Sequence, residues 1–132
     1  MSVIDVSAAA LCRAGQVLAL RRSADQSLAG HWEFPGGKRE PFENHWQCLR
    51  RELSEELSIE IATGDFVGRH SHQYPDKIIS LCLYAVTQWR GDITLSVHDE
   101  MRWLAPDQLD TLEWAPADVA HLEALRRRLQ RR

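Results

Sequence analysis

The chain has 132 residues, 44% of them hydrophobic and 27% charged, with a formal net charge of −3. One domain spanning residues 1–132 around a single core is expected at that length, the composition excludes a disordered or fibrous chain, and the charge excludes a global basic field for duplex DNA. No apolar run approaches the roughly 20 residues of a membrane span.

The first apolar stretch, residues 3–12, is β-branched and then alanine-rich, as suits a central strand. Ala14-Gly15 turns it into a second strand over residues 16–20. A polar loop follows at residues 23–30, and a short extended piece at 32–34 leads to Gly36-Gly37. A helix is then predicted from Asn44, a good N-cap with Gln47 completing a capping-box-like pair. Residues 59–61 and 66–74 read as strands, the second with Phe66, Gly68, His70, His72 and Tyr74 on one face. Pro75-Asp76 turns into a long strand over residues 78–89. Short strands are expected at 93–95 and 101–104, a short helix from Pro106 and a longer one from Pro116. The order implies an α/β (α+β) class with layers of helix and sheet.

Residues 1–6 lack the basic region and long apolar core of a signal peptide, so a cytoplasmic location is expected. Cys12, Cys48 and Cys82 are odd in number and widely spaced, and read as buried reduced thiols. Without short Cys/His spacing they are not expected to hold zinc. Arg126-Arg127-Arg128 and Arg131-Arg132 suit the negative end of a helix dipole better than a nucleic-acid arm. No stable nucleic-acid binding and no membrane partner are expected; monomer and homodimer both stay open.

The run Arg51-Glu52-Leu53-Ser54-Glu55-Glu56-Leu57 carries the chemistry. Trp46, Leu49, Leu53 and Leu57 make an apolar stripe at helical spacing, and Glu52 and Glu56 fall beside it. Like charges three and four residues apart destabilise a helix by a few tenths of a kcal/mol per pair, so folding gives no reason to gather them. A hard divalent cation does, because Mg²⁺ is held by carboxylate oxygens and shared with substrate phosphates. The competing reading is a solvated acidic face partnered by Arg50 and Arg51.

Gly37, Glu43, Arg51, Glu52, Leu53, Glu55, Glu56, Ser58 and Ile59 follow the spacing of the Nudix box, G-x5-E-x7-R-E-U-x-E-E-x-G-U with U apolar. Ser58 departs from it, standing where the pattern has glycine. Glu33-Phe34-Pro35-Gly36-Gly37-Lys38, Arg21-Arg22, Tyr74-Pro75-Asp76-Lys77 and Ala115-Pro116-Ala117-Asp118 resemble the MutT-type nucleoside triphosphate pyrophosphohydrolases, with the CTP pyrophosphohydrolase-like branch nearest. The resemblance covers nearly the whole chain.

It implies a mixed β-sheet sandwiched between helices, and Mg²⁺-dependent hydrolysis of nucleoside triphosphates to the monophosphate and pyrophosphate, with Mn²⁺ as a substitute. Such an activity suits nucleotide-pool sanitation and DNA repair. Glu52 and Glu56 are the primary candidate ligands and Glu55 a further one. The resemblance adds a backbone carbonyl of the Gly36-Gly37 turn, Glu43 as support for the helix, and a distant acid, for which Glu100 in the loop after the long strands is the best match. The general base among Glu52, Glu55 and Glu100 is left open, and a plain surface loop is the other reading of Glu100. Arg51 reads as an ion-pair partner that orients the carboxylates.

Arg22, Lys38 or Arg39 are candidates for phosphate, with Lys77 and His72 facing them from the opposite strands. Phe34 offers a stacking wall, and Pro35 completes the turn against substrate. In MutT-type enzymes the place of Asp118 reads the base edge; its other reading is a cap on the last helix. A carboxylate there accepts from the cytosine amino group, which favours (d)CTP and 5-modified pyrimidines over 8-oxo-dGTP. A non-catalytic Nudix module that only binds a nucleotide is the rival of another class.

Overall fold

In this computed structural model, which describes residues 2–131, the elements run β1 (Ser2–Arg13), β2 (Gln16–Arg22), β3 (Trp32–Glu33), β4 (Gly36–Lys38), α1 (His45–Leu57), β5 (Glu60–Ile61), β6 (Asp65–Gln73), β7 (Lys77–Val86), β8 (Trp89–Arg90), β9 (His98–Leu104), a 3-10 turn at Pro106–Thr111, α2 (Pro116–Val119) and α3 (Leu122–Gln130). Of the single domain expected over residues 1–132, Met1 and Arg132 lie outside the described residues.

β1 is the spine of the mixed sheet. Its middle, Ala8 to Leu11, is almost completely buried, as expected of a strand covered on both faces. It pairs in parallel with β7 along one edge, and antiparallel with β4 and then β2 along the other. β6 extends the sheet beyond β7, while β3 and β9 flank β2. Strand alternation sends Ala8, Ala10, Val17 and Ala19 to one core with Leu122, Leu125 and Leu129 of α3. It sends Ala9, Leu11, Leu18 and Leu20 to a second core with Leu49, Leu53 and Leu57 of α1. The expected mixed sheet between helices is therefore present.

α1 begins as its sequence directs. The Asn44 side chain accepts from the Gln47 N–H at 2.8 Å, and the Gln47 side chain accepts from the Asn44 N–H at 2.8 Å. It ends at Ser58, which adopts the left-handed conformation (φ 60°, ψ 34°) that glycine would supply without a Cβ penalty.

Four local expectations differ. No strand forms at residues 93–95; Ile93 and Leu95 pack on the α1 core while the Thr94 N–H donates to Leu57 O at the end of α1. The long strand ends at Val86, and Trp89-Arg90 pair instead with β5 in a separate ribbon. A bulge between Phe66 and Gly68 puts Phe66 opposite Tyr84 and Gly68 opposite Leu83, so the two do not share a face. The final helix is broken after α2, where the His121 ring nitrogen Nε2 meets Leu81 O at 3.1 Å and pins the chain to the sheet.

Candidate active site

One arginine organises the acidic helix. Arg51 donates from Nε and Nη2 to the two oxygens of Glu43 at 3.0 and 2.6 Å, from Nη1 to Glu52 at 2.9 Å, and from Nη2 to Lys38 O at 3.1 Å. This bidentate clasp holds the Glu43 carboxyl down to about 2, below the usual carboxylate range. It joins the loop before α1, the helix and β4 into one unit. Glu43 is thus tied to the helix through Arg51.

β4 lies against the same helix without room for side chains. A Cβ on Gly37 would sit 2.3 Å from the Glu52 carboxyl, and one on Gly36 would sit 2.0 Å from Ser7 O. The Gly36 N–H donates to Glu56 Oε1 at 3.3 Å. The turn therefore brings backbone polar groups beside two carboxylates. Burial, reinforced by the negative charges of Glu52 and Glu33, pushes Glu56 up to about 8. Burial also raises Glu52, against the lowering effect of Arg51.

These residues line a cleft of ≈ 590 Å³ whose other walls include Arg22, Glu33, Phe34, Lys38, Lys77 and Asp118. A wider hollow of ≈ 910 Å³ lies elsewhere, beside Arg50 and Trp89. It lacks the paired helix carboxylates, so size alone does not locate the chemistry. At the apolar end of the cleft the Phe34 ring packs on Trp114 at 4.8 Å between centroids. Asp118 beside it is 3% exposed, and its Oδ1 accepts the Phe34 N–H at 3.3 Å. Burial first, and then the nearby Glu33, push its carboxyl well above the usual range, which favours the neutral form. It does not cap the last helix, whose N-cap has no side-chain hydrogen bond.

The cleft suits a small hard cation. Two carboxylates beside a carbonyl-bearing turn, one of them kept neutral in the absence of positive charge, match the few protein oxygens that Mg²⁺ takes while keeping water and phosphate ligands. Among the described residues no three His, Cys, Asp or Glu side chains already converge as a closed cage.

The NUDIX domain matches residues 1–129. The chain belongs to the NUDIX family. It is 40% identical over 124 residues, covering 94% of this chain and 92% of the relative, to the CTP pyrophosphohydrolase of Escherichia coli K12. It is 34% identical over 111 residues, covering 84% of this chain and 82% of the relative, to the 8-oxo-dGTP diphosphatase of Haemophilus influenzae. The solution structure of the E. coli ORF135 protein superposes with a TM-score of 0.85 at 39% identity, covering 95% of this chain and 89% of that one. This NUDIX protein is accordingly a pyrophosphohydrolase, and no helix of its described residues is long and apolar enough to cross a membrane.

Of the residues singled out in the NUDIX sequence, Arg22, Phe34, Gly36, Gly37, Lys38, Glu52, Glu56, Lys77 and Asp118 come together on the cleft. Five do not. Glu55 turns outward, with its side chain 59% exposed beside Arg51 at 3.4 Å. Glu100 is in β9 rather than a loop; it opposes Arg21 and is ion-paired to Arg21 and Arg102. Because Arg21 also opposes Trp32, Glu100 faces the side of the sheet away from α1. Arg39 is spent on Asp5 Oδ2 and Glu43 O. His72 opposes Ile79 and packs on the Tyr74 ring. The Pro35 carbonyl accepts the Ala9 N–H at 2.8 Å, so Pro35 anchors the turn instead of lining the cleft.

Two members of the site escaped sequence reading. Glu33 lines the cleft, its Oε1 accepting from Arg22 Nη1 at 2.9 Å and its Oε2 lying 2.8 Å from His98 Nε2. The signal available was an acidic residue wedged between Trp32 and Phe34 in the entry to the box. For His98 there was none, since it depends on a strand irregularity 65 residues away from Glu33.

Proposed function

We propose that this protein hydrolyses nucleoside triphosphates in a Mg²⁺-dependent reaction, giving the monophosphate and pyrophosphate, with (d)CTP and 5-modified pyrimidine nucleotides preferred. The observation that carries the reading is Glu56, a half-buried carboxyl in the cleft crowded by Glu52 and Glu33 and raised to about 8, an arrangement that costs stability until a cation joins it. Glu52, Glu56 and a carbonyl of the Gly36-Gly37 turn are the groups that would hold Mg²⁺ or Mn²⁺. When bound, the ion offsets triphosphate charge and lowers the pKa of an attacking water. Arg51 keeps Glu52 oriented, while Arg22, Lys38 and Lys77 present cations to the phosphates along the cleft. Phe34 supplies an apolar wall for the base.

Asp118 supports the choice of base. A neutral carboxyl offers one donor and one acceptor, which complements cytosine N3 as acceptor and its N4 amino group as donor. The same pair also fits the N7–H and O6 edge of 8-oxoguanine, and the relative from Haemophilus influenzae is named for that substrate. Retention of Glu52 and Glu56 argues against a module that only binds. The test is a panel of triphosphates with Mg²⁺ and identification of both products. Preference for (d)CTP or its 5-modified forms is expected; preference for 8-oxo-dGTP replaces the base assignment, and no pyrophosphate from any triphosphate removes the reading.

A further inference from the structure

We infer that His98 is a positioning residue of this hydrolase: from behind the cleft it fixes Glu33 and, through Glu33, the guanidinium of Arg22. The inference rests on the triphosphate-hydrolase reading above. Its first support is a bulge. In β9, Glu100 opposes Arg21 but His98, not Asp99, opposes Arg22. A regular strand would put Asp99 opposite Arg22 and turn His98 to the other face. The extra residue re-aims His98 onto the face that carries Arg22 and Glu33, a use of bulges common beside active sites.

The second support is the hydrogen bonding. The His98 side chain is 1% exposed and its Nε2 lies 2.8 Å from Glu33 Oε2. Among the described residues His98 Nδ1 is buried without a partner, so it is most cheaply the unprotonated nitrogen and Nε2 carries the proton that is donated to Glu33. Burial keeps His98 from touching substrate, so it acts through Glu33. β3 is a strand of two residues, and side-chain ties compensate for its short ladder.

The consequence falls on Arg22. A free carboxylate takes an arginine by two parallel N–H bonds. Here one Glu33 oxygen is occupied by His98 and the other meets Arg22 Nη1 at 2.9 Å. Arg22 Nε donates to Ser27 O at 2.6 Å and Nη2 to Ser27 Oγ at 3.3 Å. Three of the five guanidinium N–H groups are thereby used, and the remaining two stay available to phosphate oxygens. Without His98, Glu33 is free to close on Arg22 from both oxygens and withdraw it from the cleft.

The experiment is a steady-state double-mutant cycle on the full chain with Mg²⁺ and the best triphosphate of the panel. His98→Leu is expected to raise KM about tenfold with a smaller change in kcat. In a Glu33→Gln background the same substitution should change KM by less than about twofold, because the pair is already broken. His98→Gln, which keeps an N–H at the reach of Nε2, should recover most of the loss. An unchanged KM in His98→Leu, or the same factor in both backgrounds, overturns the inference, since a merely structural role adds independently of Glu33. Should His98→Leu fail to fold, His98→Asn, polar but too short to reach Glu33, is read by the same two criteria. A parent enzyme inactive on every triphosphate fails the proposed function and takes this inference with it; an active parent indifferent to His98 fails this inference alone.

Discussion

Glu56 places function and stability in opposition within one side chain. Its carboxyl has an ordinary value of 4.5 and is pushed up to about 8 by burial and by Glu52 and Glu33. The folded, metal-free protein therefore holds more protons than the unfolded chain between those values. Stability falls as pH rises through that window and is unburdened below it. Glu56→Gln removes the titration while keeping the Gly36 N–H partner. In the presence of a chelator the variant should resist urea better than the parent at pH 8, with the advantage vanishing towards pH 4.5. Its turnover should fall on the order of a hundredfold or more. Equal urea midpoints at pH 8 would contradict the crowded, uncompensated carboxyl. Helical spacing, a local geometry, was enough to place Glu52 and Glu56 together on the cleft; the outward turn of Glu55 beside Arg51 is a side-chain contact that spacing does not express.

Local grammar governed α1 from end to end, including its one irregular residue. Asn44 and Gln47 form the reciprocal cap their spacing announces. Ser58 takes φ 60°, where an L-residue with a Cβ is strained by about 1 kcal/mol or more. Ser58→Gly relieves that strain at the expense of some added freedom in the unfolded chain, for a net gain of about 0.5–1 kcal/mol. Thermal denaturation should show a midpoint a few degrees higher, with Mg²⁺-dependent turnover unchanged; an unaltered or lower midpoint rejects the strain argument. Strand periodicity was less reliable where tertiary contacts intervene. Residues 93–95 alternate like a strand yet have no edge to join, because the end of α1 claims Thr94. The bulges at Phe66/Gly68 and at Arg21/Arg22 each reverse a face, and nothing in a single sequence marks an inserted residue.

At the scale of the molecule, the cleft lies at the seam between regions far apart in the chain. β1, β4 and α1 supply the acidic floor, β2 and β3 the Arg22–Glu33 wall, and α2 the corner that holds Asp118. That corner is closed by backbone bonds between distant segments: Trp32 N–H to Glu113 O at 2.9 Å and Ala115 N–H to Trp32 O at 2.7 Å. They seat Asp118 against Phe34, 84 residues away. The contiguous box was readable, whereas this closure needs the whole sheet in place before it exists. The resemblance named Asp118, but the upward push on its carboxyl comes from burial in this corner and from the nearby Glu33. Asp118→Leu removes donor and acceptor together, and also strips the Phe34 N–H of its partner. Its kcat/KM for the preferred triphosphate should fall about tenfold to a hundredfold relative to other bases. The Mg²⁺ concentration for half-maximal rate should stay put, because the acidic floor is untouched. Asp118→Asn keeps one donor and one acceptor in the same shape and should retain the base preference. The ratio between bases, measured on one preparation, is indifferent to how much of a destabilised variant is folded. A Leu variant with the parent's base ranking would show that the corner is structural and that the base is read elsewhere along the cleft.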